Sequence, residues 1–309
     1  MNLKSAIIKK STGSWYILLD ENGDLHNARL KGKFKLSGNK NTNPIAVGDQ
    51  VKFSIDSKTG DAIIEQILQR SNYIIRKANN LSRQEHIIAA NLDQALIVAT
   101  LAMPRTSLGF IDRILITAEA YDIDAIIVFN KLDIYDNEAL EYLDEIRKMY
   151  ESLGYRTLAI SVKEKQNLDE LSGLLHGKTS LLTGHSGVGK SSLLNYFVPE
   201  LGLKTSTISN FSSKGKHTTT FAEMHVIEKD TYIIDTPGIK EFGIVDMEKA
   251  EISHFFPELR DLINSCKFNN CLHINEPGCA VREAVENNQI YQSRYNTYLS
   301  VLHEENDHR

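Results

Sequence analysis

Two short motifs in this chain have the residue types and spacing of a nucleotide-binding site, and their order is unusual. The segment GHSGVGKSS (184–192) matches the phosphate-loop pattern G-x-x-x-x-G-K-S. The tetrad NKLD (130–133) has the residues that a guanine-specific site uses, yet it stands about fifty residues before the phosphate loop. In an ordinary GTP-binding chain the phosphate loop comes first. Either the tetrad is accidental, or the domain has been cut and rejoined.

The phosphate loop has the context that phosphate binding requires. It follows the apolar segment TSLLTG and opens the helical segment KSSLLNYF, so a chance glycine-rich turn is a poor alternative. Its glycines let backbone N–H groups surround phosphate oxygens, and the helix N-terminus favours negative charge. We expect Lys190 to reach the β- and γ-phosphates and Ser191 to ligate Mg²⁺. The loop residues expected at the nucleotide are Gly184, His185, Ser186, Gly187, Val188, Gly189, Lys190, Ser191 and Ser192.

Two further segments are expected on the metal side of the phosphates. In DTPG (235–238), Asp235 would hold Mg²⁺ through water, and the Gly238 N–H would sense the γ-phosphate. HTTT (217–220) ends a stretch (204–220) with three lysines, no acidic residue and mostly Ser, Thr and Asn, which we predict to be a mobile loop. Thr219 or Thr218 would complete the Mg²⁺ shell as a switch, and spacing does not choose between them. An exposed polar strand start is the alternative.

The tetrad has the chemistry to select guanine. Guanine offers N1–H and an exocyclic N2–H₂ side by side, and the Asp133 carboxylate can accept both. Adenine would leave Asp133 badly paired, a mismatch that discriminates by about 10⁴-fold. Asn130 would contact the other edge of the base and the Lys131 stem would cover its face, with Leu132 between them and Asp133.

The remaining order of motifs predicts a circular permutation. Ser161-Val162-Lys163 resembles the short loop that donates a backbone N–H to guanine in GTPases. The order is then base reader, base loop, phosphate loop, switch threonine and DTPG, which is the usual order rotated as a circle. Such rotation is tolerated when the original termini lie close together at the surface, because the same contacts form after re-cutting.

A third motif predicts a metal site. Its spacing is Cys266-x₄-Cys271-x-His273-x₅-Cys279, and these are the only three cysteines of the chain. An odd, tightly clustered set is a poor disulfide framework. Three thiolates and one imidazole make a closed tetrahedral set of the kind that holds structural Zn²⁺, with no open position for catalysis. We therefore expect one structural zinc ion that stabilises a loop between helices.

The elements that must position these motifs fall into three regions. Short strands with Gly and Asn turns predict an all-β barrel of the oligonucleotide-binding (OB) type over residues 1–70, against a generic small barrel. Apolar strands alternating with helices predict a doubly wound α/β domain over 71–244, whose ligand site lies beyond the carboxyl ends of its strands. Residues 245–309 are predicted to be helical around the Cys/His loop.

The bulk composition is that of an ordinary globular protein. The chain has 309 residues, 41% of them hydrophobic, and a net charge of −5. No apolar run approaches the roughly 18 residues that cross a bilayer, and no signal-peptide pattern opens the chain, so we expect a cytoplasmic protein without membrane contact. Basic residues that would suit nucleic-acid phosphates, or simply form a solvated face, are Arg29, Lys31, Lys33, Lys35, Arg70, Arg76, Lys77 and Arg83.

These motifs resemble those of the bacterial circularly permuted GTPases of the RsgA group, also called YjeQ or YloQ. The resemblance covers essentially the whole chain and rests on NKLD, GHSGVGKSS, GKHTTT (215–220) and DTPG. It implies slow hydrolysis of GTP to GDP and phosphate, strongly accelerated on the small (30S) ribosomal subunit, in the late maturation of that subunit. It also implies binding of 16S rRNA, encounters with other assembly factors, and a monomer that uses GTP/GDP, Mg²⁺ and one Zn²⁺.

Catalysis is expected to be weak without a stimulator. Many GTPases place a glutamine after Asp-x-x-Gly to orient water, and this chain has Ile239 there. Charge neutralisation by Lys190 and Mg²⁺ would then supply most of the rate. His217 is a candidate substitute for the glutamine, with an exposed loop histidine as the alternative.

Two other classes of function remain open from the sequence. One is a phosphate-loop kinase or ATPase that acts on a small molecule, against which NKLD and the lack of a substrate lid both argue. The other is a nonenzymatic RNA-binding protein with a structural nucleotide. Phosphate release measured with and without small subunits separates the second class from an enzyme.

Overall fold

The first five strands form a closed barrel. The computed structural model describes residues 3–13, 15–31, 45–57, 59–76, 86–203, 222–236 and 248–304. The barrel strands are β1 (Lys4–Ser11), β2 (Tyr16–Asp20), β3 (Leu25–Leu30), β4 (Gln50–Ile55) and β5 (Ala62–Ile67). They follow the order β1-β2-β3-β5-β4, and β4 pairs back onto β1, so the sheet closes. This closure confirms the predicted N-terminal barrel.

Local sequence explains both the turns and the core of the barrel. Between β2 and β3, Gly23 takes the positive φ that the turn needs, and the Asp20 carboxylate accepts backbone N–H bonds from Asn22 and Asp24. Alternate strand residues point inward and are buried. The fully buried ones include Ile8, Leu18, Val51, Phe53 and Ile64.

The central sheet is the predicted doubly wound α/β layer. Two further strands, β6 (Tyr73–Arg76) and β7 (His86–Ala90), form a separate pair after the barrel. The central strands are β8 (Gln94–Ala99), β9 (Asp124–Phe129), β10 (Arg156–Ala159), β11 (Thr179–Thr183), β12 (Glu223–Glu228) and β13 (Thr231–Asp235). Their order is β10-β9-β8-β11-β13-β12, parallel except for β12.

Four helices cover the two faces of this sheet. They are α1 (Leu108–Ala120), α2 (Asn137–Ser152), α3 (Leu168–Leu175) and α4 (Lys190–Phe197). Apolar side chains of α1 and α2 pack with one face of the strands, and those of α3 and α4 pack with the other. Because both faces are covered, the strands are apolar throughout, as in β8, where every residue is buried.

The topology places the motifs at one edge. From β8 the chain runs outward to β9 and β10, then returns to β11 on the other side of β8. Such a reversal opens a crevice at the carboxyl ends of the strands, where α/β proteins bind ligands. NKLD follows β9 and the phosphate loop follows β11. Strand β12 was not predicted, and it joins the central sheet to the barrel through the pair Lys10↔Glu223.

The C-terminal region is helical, but its first part is more broken than the sequence predicts. The helices are α5 (Lys249–Ile252), α6 (Pro257–Arg260), α7 (Ala280–Glu286) and α8 (Gln292–Glu304). Pro257 starts α6, because proline suits a first turn and interrupts a continuing helix. Helix α8 packs against α1. Among the described residues, no helix is both long enough and apolar enough to traverse a bilayer.

Candidate nucleotide and metal sites

The phosphate loop is shaped by glycines that tolerate no side chain. Gly184 and Gly189 have φ values of +139° and +103°. A Cβ on Gly184 would lie 2.2 Å from the Val98 carbonyl oxygen, and one on Gly189 would lie 2.2 Å from Asn130 Nδ2. The loop therefore lies against the ends of β8 and β9. Helix α4 begins at Lys190, so the last residues of the motif form its first turn.

The tetrad, the base loop and the phosphate loop meet at Asn130, which is almost fully buried. Its Nδ2 donates to the Val188 carbonyl oxygen at 2.8 Å, and its Oδ1 accepts from the Val162 N–H at 3.3 Å. One carboxamide thus ties together three segments that are distant in sequence. The tetrad and the phosphate loop therefore lie together at one edge of the sheet, although their order in the chain is the reverse of the usual one.

Asp133 is held as an ionised acceptor beside this junction. Its Oδ1 accepts from the Ser161 hydroxyl at 2.6 Å, and Lys163 Nζ lies 3.6 Å from its Oδ2. Burial alone would raise the pKa of Asp133, but the Ser161 hydrogen bond and the Lys163 charge hold this pKa below its usual value. An ionised carboxylate only accepts hydrogen bonds, which suits the paired N–H groups of guanine.

Tyr135 supports the tetrad and was missed from the sequence. Its buried hydroxyl donates to the Asn130 carbonyl at 2.7 Å and accepts from the Leu101 N–H at 2.8 Å. Leu132 begins the short 3₁₀ turn that carries this tyrosine inward. Lys131 has φ +68°, and its Nζ donates to the Met103 carbonyl. A tyrosine two residues beyond the tetrad was the available signal, but its burial depends on the fold.

Lys190 folds back over the phosphate loop. Its Nζ donates to the carbonyls of Gly184 at 2.6 Å and His185 at 2.7 Å. Burial lowers the pKa of Lys190, and Asp235 opposes this shift. The His185 ring stacks on Phe110 of α1 with centroids 3.6 Å apart, and burial lowers the pKa of His185, with the Lys190 charge adding to the effect.

The rest of the loop faces outward. Ser186, Gly187 and Ser191 are exposed, whereas Val188 is fully buried, and Ser192 is half-buried in the first turn of α4. Backbone and hydroxyl groups of the exposed residues are thus open to a ligand.

Asp235 ends β13 near the phosphate loop. Burial raises the pKa of Asp235, the Lys190 charge opposes that rise, and the Glu223 carboxylate adds to it. The other predicted metal-side residues, His217, Thr218, Thr219 and Gly238, lie outside the described residues, as does Ile239. The predicted mobile loop at 204–220 lies outside them as well.

Cys266, Cys271, His273 and Cys279 come together as one cluster. Their ligand atoms all lie within 4.8 Å of one another. His273 Nδ1 is 3.6 Å from Cys266 Sγ and 3.4 Å from Cys279 Sγ. A tetrahedron with Zn–S bonds of about 2.3 Å separates its sulfur atoms by about 3.8 Å. The four residues therefore have the spacing and chemistry of a zinc site.

The surroundings of the cluster fix its loop. The hydroxyls of Tyr295 and Tyr298 in α8 donate to the carbonyls of His273 and Leu272 at 2.6 and 2.7 Å. Cys279 is the N-cap of α7, where a thiolate is favoured by the helix dipole. Burial raises the pKa of Cys271 to about 12. A bound divalent cation would lower this pKa, because it coordinates the thiolate.

Part of the predicted basic surface is already neutralised. Lys31 pairs with Glu65 at 2.6 Å, and Arg29 pairs with Asp56 at 3.2 Å. Arg70 donates twice to the buried Asp49, at 2.6 and 2.7 Å, so it stabilises the barrel. Lys33, Lys35, Lys77 and Arg83 lie outside the described residues.

Comparison with known proteins assigns this geometry to a family. A family model described as RsgA GTPase matches residues 67–245, and one described as RsgA N-terminal domain matches residues 6–64. A Flavobacterium johnsoniae protein named small ribosomal subunit biogenesis GTPase RsgA is 51% identical over 304 residues, 97% of this chain and 93% of that protein. A Bacteroides fragilis protein of the same name is 49% identical over 301 residues, 97% of each chain.

Solved structures agree with the sequence comparison. YjeQ from Thermotoga maritima has a TM-score of 0.80 and 35% identity, covering all of both chains. YloQ, described as a circularly permuted GTPase, has a TM-score of 0.76 and 29% identity, covering 100% of this chain and 96% of that one. The permuted order predicted from the motifs is thereby confirmed.

Proposed function

The chain belongs to the RsgA GTPase family and is a GTP hydrolase; we propose that it assists the late maturation of the small ribosomal subunit. In this role the subunit stimulates its turnover of GTP to GDP and phosphate. The observation that carries the proposal is the Asn130–Val188 hydrogen bond, because it brings the base reader and the phosphate loop to one site. The names of the relatives support the choice of subunit.

The nucleotide site divides into two parts with separate tasks. Asp133, Asn130 and the base loop bind guanine, and the exposed phosphate loop binds the phosphates. Lys190 leaves its two carbonyl partners and neutralises the β- and γ-phosphates. Ser191, and Asp235 through water, would hold Mg²⁺, whose chemistry there would be neutralisation of the charge on the phosphates.

Water is oriented poorly in the isolated protein, since Ile239 has no hydrogen-bonding side chain. His217 would orient the attacking water once the small subunit is bound, and Thr219 or Thr218 would serve as a further ligand of Mg²⁺. His217→Ala then keeps nucleotide affinity but loses stimulated turnover. Unchanged stimulated turnover in that variant would remove His217 from the mechanism.

The other regions serve binding to the subunit. Residues 1–70 form the barrel domain that contacts 16S rRNA, residues 71–244 form the GTPase domain, and residues 245–309 form the helical domain with one structural Zn²⁺ on the four-residue cluster. The protein acts as a cytoplasmic monomer and meets other assembly factors on the subunit.

The decisive experiment is GTP turnover with purified small subunits, large subunits or neither. Stimulation by small subunits alone supports the proposal, and Lys190→Ala is the inactive control. Equal rates in all three reactions would contradict it. Competition of labelled GDP by ATP tests the kinase or ATPase alternative, because ATP should compete far less well than GTP at a site built around Asp133.

A further inference from the structure

The Glu223 carboxylate receives two lysines from the barrel. Lys10 Nζ lies 2.6 Å from Glu223 Oε2, and Lys9 Nζ lies 3.6 Å from Oε1. Two consecutive strand residues ordinarily point to opposite faces. Here the register of β1 shifts between Ile8 and Lys10, and such a bulge redirects a side chain. The bulge therefore accounts for both ammonium groups reaching one carboxylate.

The same glutamate is directly opposite Asp235. In the β12–β13 pair the register partners are Glu223↔Asp235, and in the β1–β12 pair they are Lys10↔Glu223. Directly opposed residues on neighbouring strands project from the same face. Lys10, Glu223 and Asp235 thus form one row across three strands, from the barrel to the metal side of the nucleotide site.

This row differs from an ordinary surface ion pair. The side chains of Lys9, Lys10 and Glu223 are only 18%, 29% and 23% exposed. Two carboxylates stand side by side at Glu223 and Asp235, and the lysines neutralise one of them. Glu223 also begins β12 only three positions after Thr220, the last residue of the HTTT segment. The two barrel lysines therefore hold the start of β12, the strand that follows the HTTT segment and pairs with the strand ending at Asp235.

We propose that Glu223 is a positioning residue for Asp235, and that Lys9 and Lys10 make its position depend on the barrel. The inference rests on the proposed role of Asp235 at Mg²⁺. Its consequence is that a ligand that shifts β1 of the barrel changes Mg²⁺ use at the nucleotide site, without touching the nucleotide.

The test is the Mg²⁺ dependence of intrinsic GTP turnover in the full-length protein. Glu223→Gln and the double variant Lys9→Gln/Lys10→Gln should each raise the Mg²⁺ concentration for half-maximal turnover by about threefold to tenfold. Turnover at saturating Mg²⁺ and GDP affinity without Mg²⁺ should both stay near the wild-type values. The triple variant should shift no further than the double variant, because the lysines act through Glu223.

Lys52→Gln is the matched control. Lys52 is a barrel lysine that donates to the Ser5 hydroxyl at 2.6 Å and lies outside the row. The Mg²⁺ concentration for half-maximal turnover of Lys52→Gln should therefore equal that of the wild type. An unchanged Mg²⁺ dependence in both test variants, or an equal shift in the control, would overturn the inference. If the wild-type protein itself showed no Mg²⁺-dependent GTP turnover, the proposed function would fail instead, so the two failures are distinguishable.

Discussion

The side chain of Asn130 donates a hydrogen bond to the backbone carbonyl of Val188 across 58 positions of the chain. The first residue belongs to the tetrad that we propose to recognise the base, and the second belongs to the loop that we propose to surround the phosphates. Permutation reversed their order in sequence without separating them in space. A Cβ on Gly189 would lie 2.2 Å from the Nδ2 of the same carboxamide, so the two motifs pack too closely for a side chain at Gly189.

Replacement of Asn130 by aspartate should therefore weaken guanine nucleotide binding by about tenfold to a hundredfold. The two side chains have the same shape, but a carboxylate oxygen would face the Val188 carbonyl in place of an N–H donor. Titration of GDP by calorimetry measures the loss. Asn27→Asp, an exposed change on β3, should bind GDP normally, and an Asn130→Asp variant with wild-type affinity would show that the contact has no role in binding.

A second substitution tests which base the site selects. Asp133→Asn should lose affinity for GTP and gain affinity for XTP, each by about a hundredfold. Xanthine has a carbonyl where guanine has its exocyclic amino group, and the asparagine N–H₂ can donate to that carbonyl. Parallel competition of labelled GDP and XDP measures the exchange of preference. A variant that lost both nucleotides equally would place Asp133 in a supporting role only.

The local parts of this site were predictable, and its long-range parts were not. The phosphate loop, the tetrad and the Cys/His cluster each carry their chemistry within a short segment, so spacing alone identifies them. Tyr135 and Glu223 matter because of partners on other strands. Their hydrogen bonds and register pairs exist only after the sheet is assembled. Strand β12 escaped prediction because it follows a polar stretch and mixes charged with apolar residues.

Tyr135→Phe tests one of these unpredicted contacts. Loss of the hydroxyl leaves the buried Asn130 carbonyl and the Leu101 N–H without their partner, so the tetrad should loosen. We expect GDP affinity to fall about threefold to tenfold, while the ratio of GTP to ATP binding also falls. Tyr142→Phe removes an exposed hydroxyl from α2 and should change neither value. Loss of stability with an unchanged GTP/ATP ratio would mean that Tyr135 only supports the fold.

Removal of the metal should unfold the C-terminal region before the rest. Chelation removes the ion, and Cys271→Ser removes one of its ligands. The loop is otherwise held by hydrogen bonds of Tyr295, Tyr298 and Glu276. We expect a lower melting temperature, proteolysis within 245–309, and one equivalent of zinc in the untreated protein against much less in the variant. Ser265→Ala, next to the first ligand, is the control and should retain zinc. A chelated protein with unchanged melting and proteolysis would exclude a structural role for the metal.

The last prediction concerns Arg294, a fully buried cation that joins the C-terminal region to the GTPase core. Its guanidinium donates to Asp112 of α1 at 2.8 Å and to Glu258 at 2.7 Å. Thr297 and Tyr150 complete the hydrogen bonds of Asp112. Arg294 and Asp112 are 182 positions apart, which explains why no sequence pattern indicated their pairing. Arg294→Met should cost about 3–5 kcal/mol of stability, since it leaves a buried carboxylate without its counter-charge.

The same variant should also show a stronger pH dependence of stability than the wild type, and its sign follows from Asp112. Burial raises the pKa of Asp112, and Arg294 opposes that rise, so the substitution raises this pKa further above the value of about 3.9 in an unfolded chain. The folded state then holds a proton that the unfolded state has released, and stability falls as pH rises through that window. Denaturant unfolding at pH 5 and pH 8 should therefore show a larger loss at pH 8. Arg282→Met, which breaks an exposed pair with Glu286 at 3.7 Å, should lose little at either pH. Equal losses at the two pH values in Arg294→Met would show that Asp112 stays ionised without its partner.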